Sequence, residues 1–275
     1  TNLGNVLWLG GFPEQAEQAF LRAIELDPQA ALPLRGLGNS LRDLNRFEEA
    51  DVAYRRSRIL ADDPLTSWCH SQLLLGVEQY DVAYELAERR LEIAAMRSFC
   101  PPPYCLSHPS FDFKSSVRPL HIWTEQGFGD TLQYVRWVVP LCHRPHAITM
   151  EVEHQLVALL KQGLAWLPYP PTVEEKPHVG AAPRETTSDQ VPLMSLPHRL
   201  GGAPFIDSVP YLRCSDWFIP DPLTLESGPR IGVVWAAGRK LDDPFTAREY
   251  RRRSLDDAAL SRLLYGLSSQ GASLN

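Results

Sequence analysis

Apolar positions in the first third of the chain follow a helical period and then repeat as a block. Leu3-Gly4, Leu7, Ala16, Phe20, Ala23 and Pro28 recur 34 residues later as Leu37-Gly38, Leu41, Ala50, Tyr54 and Ser57. A third, weaker copy runs through Tyr80, Ala83, Ala87 and Leu91, one residue out of step, with Ser71 where Gly4 and Gly38 stood. A fixed period of this length predicts stacked helix pairs. Gly4, Gly38, Ala16 and Ala50 let the two helices of a pair approach, Leu, Phe and Tyr fill the seam, and Pro28 or Pro64 ends each second helix.

From Phe99 to Pro119 the pattern breaks into Cys100-Pro-Pro-Pro-Tyr-Cys105, His108-Pro109 and Lys114-Ser-Ser. Proline at this density blocks helix and predicts a linker or a surface strap. Beyond it the period alternates. Leu120–Thr124 reads as a buried strand, Thr131–Leu141 as a helix, Ala147–Val152 as a strand and His154–Gln162 as a helix, an order that predicts parallel strands joined by right-handed crossovers. Residues 163–222 give only short apolar segments, at Gln190–Met194 and Tyr211-Leu212. Arg230–Ala236 reads as another strand and Ser254–Leu267 as a helix.

The fold class expected is therefore α followed by α/β. Residues 1–97 hold about three helical repeats, 98–118 a Pro-rich linker, 119–222 a Rossmann-like half, and 229–275 the incomplete beginning of a second half. Thr1 opens in register with no cap ahead of it, which predicts either a stack cut at its amino end or a short natural variant. One strand with one helix cannot bury a sheet face, so the last segment is expected either to dock on the preceding domain or to be the first third of a domain whose remainder is absent.

Composition narrows the partners. The net charge of −6 comes from 27 Lys and Arg interspersed among 33 Asp and Glu, so no broad basic face for nucleic acid is implied. The five cysteines (Cys69, Cys100, Cys105, Cys142 and Cys214) form neither a disulfide framework nor a zinc spacing, which points to a reducing compartment. No apolar run approaches the ~20 residues of a membrane span and no leader pattern opens the chain, so a soluble, cytoplasmic protein is expected.

Candidate chemistry concentrates after the first strand, in Thr124-Glu-Gln-Gly-Phe-Gly-Asp130. Gly127 and Gly129 allow a tight turn and close approach of a ligand, and the helix start that follows offers N–H groups to an anion or a sugar oxygen. This is the crevice position of open α/β sheets. Leu132 stands where a dinucleotide fingerprint needs a third glycine, so a nicotinamide or flavin reading fails. The bland reading makes Asp130 a first-turn helix acid and Glu125 a surface acid. Cys142-His143-x-x-His146 lacks a second ligand cluster, so no metal site is expected. Cys100 and Cys105 read as inert thiols. His198 and Arg199 lie within reach of the cleft without being required there. Ser195 lacks a nucleophile-elbow context, and Trp123 and Trp235 read as core.

The repeat residues quoted above resemble the tetratricopeptide family. The run Glu125–Arg136, with Val191–Pro197, Pro210–Leu212, Ile231–Gly238 and Arg253-Ser-Leu255, resembles the glycosyltransferase domain of bacterial tetratricopeptide proteins, which is similar to heptosyltransferases (glycosyltransferase family 9). That resemblance implies the GT-B arrangement of two Rossmann-like halves, a nucleotide-sugar donor as co-substrate and no resident cofactor. Asp130 maps onto the proposed general base, with Glu125 second. The glycine loop, Gly127 and Gly129, and the second-half positions Gly238, Arg239, Lys240, Arg252, Arg253 and Ser254 map onto donor and diphosphate binding, where arginine forks suit phosphate oxygens. The repeats would hold a protein or peptide partner. The alternative is a non-catalytic scaffold with a degenerate transferase domain.

Overall fold

The computed structural model describes residues 1–93, 118–125, 127–177, 188–202, 210–213 and 257–269. They belong to two compact units, one of residues 1–28 with 217–275 and one of residues 29–216.

The first unit contains the hairpin of α1 (Asn2–Leu9) and α2 (Pro13–Leu26), together with a carboxyl-terminal helix over Asp257–Ser269. Its small-residue position is used as the repeat predicts. A Cβ on Gly4 would lie 2.6 Å from the ring of Phe20, which is fully buried. Pro13 occupies the first turn of α2, where its missing N–H is an orphan in any case.

The second unit opens with two more hairpins, α3 (Ala31–Asp43) with α4 (Phe47–Leu60), and α5 (Pro64–Gly76) with α6 (Tyr80–Ala87). A Cβ on Gly38 would lie 2.8 Å from the ring of Tyr54, whose hydroxyl donates to Asn39 at 2.7 Å. Pro64 does not end α4 as expected. That helix stops at Leu60, and Pro64 opens α5 behind Asp63, whose carboxylate accepts the N–H groups of Leu65 and Thr66.

All three hairpin turns share one device. Gly11, Asn45 and Glu78 adopt φ of 87°, 60° and 63°. The next N–H in each case bonds back six residues inclusive, Phe12 to Leu7 O, Arg46 to Leu41 O and Gln79 to Leu74 O. This is a helix-ending motif with a left-handed residue at its turn. Its spacing fixes the third copy one residue short of the second.

The third hairpin departs from the pattern at its far end. α6 has eight residues and runs into a 3₁₀ turn, Glu88–Glu92. By register Ala87 stands where Phe20 and Tyr54 stood, and Arg90 stands where Ala23 and Ser57 stood.

Among the described residues the α/β half holds a four-stranded parallel sheet of order β3-β2-β1-β4, with β1 Leu120–Trp123, β2 Ile148–Val152, β3 Thr172–Glu175 and β4 Asp189–Pro192. The parallel arrangement is the one predicted. In register, Ile122, Met150, Val173 and Val191 form one row across all four strands, each at most 2% exposed. The helix after β2, α8 (His154–Leu164), faces the core with Leu156, Leu160 and Leu164 at four-residue spacing.

The segment after β1 differs from the continuous helix expected over Thr131–Leu141. It is a seven-residue helix, α7 (Phe128–Tyr134), followed by 3₁₀ turns over Val135–Trp137 and Val139–His143. Pro140 has no N–H to continue an α-helical ladder. After β4 the chain makes a short 3₁₀ turn, Leu193–Ser195, and a single helical turn, α9 (Leu196–Arg199).

The third hairpin shares the core of the sheet. Tyr84 of α6 lies within it, edge-on to Trp137 at 5.9 Å, and Trp68, Leu75 and Tyr80 pack against the same cluster. α9 packs on α6, where Gly202 lies so close to Asp81 that a Cβ there would clash.

Candidate functional site

The strand order places β1 beside β4, which follows it by way of β2 and β3, so the sheet's direction of winding reverses between them. Open α/β sheets take ligands at the carboxyl ends of the strands flanking such a point. Here those ends carry the Thr124–Asp130 segment after β1 and Leu193–Ser195 after β4.

The β1 segment is fixed at both ends. Thr124 is 1% exposed, its N–H bonds to Glu151 O at 3.1 Å, and its hydroxyl donates to Glu153 at 3.0 Å. Lys176 holds the other oxygen of Glu153 at 2.9 Å, so the carboxyl ends of β1, β2 and β3 are tied in a chain. At the far end Gly127 precedes α7, and its N–H donates to Asp130 Oδ2 at 3.2 Å. Asp130 is therefore a first-turn acid that closes the loop on itself. It is half-buried, and Phe128 beside it is 46% exposed.

The glycines do not form the tight turn expected of them. Gly127 has φ −74° and ψ 176°, an extended conformation open to any residue. Gly129 sits within α7, and a Cβ on it would meet nothing within 4 Å. A Cβ on Gly127 would lie 3.7 Å from Asp130 Oδ2, an ordinary contact, so neither residue has to be glycine to bend the chain. α7 is also only seven residues long, so the expected helix-end contribution to anion binding is slight.

Glu125 is not a surface acid. It is 4% exposed, and its two oxygens take a fork from Arg90 of the third hairpin: Nε to Oε2 at 2.8 Å and Nη2 to Oε1 at 2.6 Å. Arg90 Nη2 also donates to Ser195 Oγ at 2.9 Å, and Nη1 donates to Ala87 O at 2.9 Å and to Glu88 at 3.0 Å. Burial works against the Arg90 charge, but the neighbouring carboxylates of Glu125 and Glu88 outweigh it and raise the pKa further, so the guanidinium stays protonated. Arg199 of α9 lies 3.7 Å from Glu88 and extends the pairing between repeat and α/β half. Tyr134, on α7, feels Tyr84, Arg90, Asp130 and Glu125, and burial pushes its hydroxyl pKa upward.

Arg90 was missed by sequence reasoning, as was the role of Ser195, whose fully buried hydroxyl accepts from it. Cys142 is buried, and desolvation pushes its thiol up to about 12. Among the described residues no three His, Cys, Asp or Glu side chains are grouped as a metal ion would need. Trp123 is core, at 3% exposure. Gly238, Arg239, Lys240, Arg252, Arg253 and Ser254, together with Trp235, Cys100, Cys105 and the linker over 98–117, lie outside the described residues. An open cavity of about 420 Å³, lined by Pro145, His146, Tyr169 and Pro170 among others, sits at the amino ends of β2 and β3, the opposite end of the sheet from Asp130. No helix among the described residues is long and apolar enough to cross a membrane.

No protein-family model and no curated protein matches the chain. Solved structures that resemble it include MamA, with 14% identity and a TM-score of 0.31 over 35% of this chain and 57% of that one. A mutant O-GlcNAc transferase of Thermobaculum terrenum resembles it at 13% identity and a TM-score of 0.33, over 55% of this chain and 36% of that one. The chain thus spans less than two thirds of either.

Proposed function

We propose that the α/β half is half of a glycosyltransferase of the heptosyltransferase type, transferring a sugar from a nucleotide-sugar donor to an acceptor held partly by the helical repeats. The observation that carries this reading is the place of Asp130. It stands at the carboxyl end of an interior strand, next to the point where the winding of the sheet reverses, half-buried, with open space at Gly129 beside it. In the reaction the acceptor hydroxyl oxygen bonds to the anomeric carbon as its proton passes to the Asp130 carboxylate. The bond from that carbon to the diphosphate breaks, its electron pair leaving with the nucleoside diphosphate, and configuration inverts. Gly238, Arg239, Lys240, Arg252, Arg253 and Ser254 are assigned to the diphosphate, whose charge arginine forks match.

The test is turnover of UDP-, ADP- and GDP-sugars by the chain and by Asp130→Asn. Asparagine retains an oxygen to accept the Gly127 N–H, so the loop's closure and the melting temperature should be kept. Loss of the proton acceptor should lower kcat by about 10²–10⁴-fold. Equal activity in the variant refutes the base role. The second reading, a scaffold that binds a partner through its repeats, is favoured by one observation: Arg90 and Glu125 fill the ground between the β1 and β4 loops. Absence of binding heat with all three nucleotide sugars would select it.

A further inference from the structure

We infer that Arg90, a residue of the repeat array, is a positioning residue for the loop that carries Asp130; this rests on the reading of that loop as the site. The guanidinium has five N–H donors, and each meets an acceptor. Two acceptors belong to its own hairpin, Ala87 O at the end of α6 and Glu88 in the 3₁₀ turn. Two are the oxygens of Glu125 in the loop after β1, and one is Ser195 Oγ after β4. A lysine presents a point charge and cannot reproduce this set, so the site selects arginine by geometry as well as by charge.

The consequence for the loop follows from where it is held. Thr124 is still part of the sheet ladder and Gly127 is already bonded to Asp130. Glu125 lies between those anchors, and both of its carboxylate oxygens are taken by Arg90. Its carboxylate is 3% exposed, and the fork from Arg90 fixes its direction as the chain leaves the strand. The repeat array thereby holds Glu125 at the start of the loop that Gly127 closes on Asp130, and so acts on the placement of Asp130. The third hairpin pays for this in its own regularity. The position that is Ala23 and Ser57 in the earlier copies is Arg90, 1% exposed, and Ala87 in place of Phe20 or Tyr54 makes room at the end of α6.

The test uses the full chain with Arg90→Lys, which keeps the charge and loses the fork, and with Arg90→Met/Glu125→Met, which replaces the pair by apolar groups of similar length. Hydrogen exchange is read at the amides of Gly127–Thr131 and at the core strand amides of Ile122 and Met150. Arg90→Lys is expected to speed exchange in the loop by tenfold or more while the strand amides keep their protection. The double variant is expected to hold its strand protection as well as Arg90→Lys does while its loop exchanges fast. Unchanged loop exchange in Arg90→Lys, or a rise of equal factor at loop and strands, overturns the proposal, because the pair would then be only a contribution to global stability. A second arm measures turnover of UDP-, ADP- and GDP-glucose. With an active wild type, Arg90→Lys should lower kcat at least tenfold with KM within twofold, and an unchanged kcat overturns the positioning role. An inactive wild type removes the transferase reading alone, and the exchange result still decides whether Arg90 sets the loop.

Discussion

At the scale of single residues two repeat positions call for glycine, and only one of them has it. Gly38 must be small because Tyr54 cannot retreat. Its ring stacks on His70 at 5.4 Å and its hydroxyl is bonded to Asn39, so it is held on both sides. Gly38→Ala should destabilise the chain by about 1–3 kcal/mol, the usual cost of overpacking, read as a lower urea midpoint at unchanged slope. Glu78 wants to be smaller than it is. It holds φ 63°, the left-handed conformation that Gly11 adopts without penalty in the first turn. Glu78→Gly should therefore stabilise by about 1 kcal/mol, and a fall in midpoint would show that the Glu78 side chain makes a contact worth more than its strain. The glycine was legible in the sequence because it sits beside Leu3 and Leu37 in a visible block. Arg90 was legible in principle: once the third copy is set one residue short, a long cation falls on a position that is small elsewhere, and a buried arginine requires a carboxylate. What the sequence lacked was any sign that the carboxylate is Glu125, 35 residues away.

At the scale of elements the strands with apolar runs were readable and the polar edge strand was not. β1 is buried along its whole length, whereas β3 reads Thr-Val-Glu-Glu with only Val173 inside, so its membership is set by pairing with β2 and not by its own pattern. The break of the helix after β1 into α7 and two turns was visible only as Pro140. Between helices, α4 and α5 are joined by His70, which is 2% exposed, with Nε2 2.7 Å from Asp51 and Nδ1 buried without a partner. Burial lowers its pKa below the ordinary 6.5, against the opposing pull of Asp51, while Arg58 and Arg55 add to the lowering. The folded chain then binds fewer protons than the unfolded one. Stability from neutral His70 is full above about pH 6.5 and declines as pH falls through the lowered folded value. Comparing urea midpoints at about pH 7.5 and about pH 5.5, on either side of the unfolded value, His70→Gln should lose less stability on acidification than the parent. The glutamine amide can still donate to Asp51 and has nothing to titrate. An equal acid loss in both would assign the effect to other groups.

At the scale of the whole molecule, the third hairpin and the sheet meet over a shared surface within the unit of residues 29–216. Tyr84 belongs to the core of the α/β half, Trp68, Leu75 and Tyr80 pack on it, and two arginines cross the same surface to Glu125 and Glu88. A hairpin that shares its apolar contacts with a sheet cannot open without exposing them, so residues 29–216 should unfold as one cooperative body. Native-state hydrogen exchange against urea separates this from a chain of independent domains. The slowest amides of α5, at Leu73 and Leu74, should merge with those of Ile122 and Met150 into one transition of common free energy and common slope. Tyr84→Ala, which removes a ring from the shared surface, should lower both sets by the same amount, about 3 kcal/mol or more. If the α5 amides open at lower urea, or if Tyr84→Ala weakens the hairpin alone, the repeats fold separately. Arg90 would then act across an interface that opens below the global transition, and would hold Glu125 only while that interface is closed.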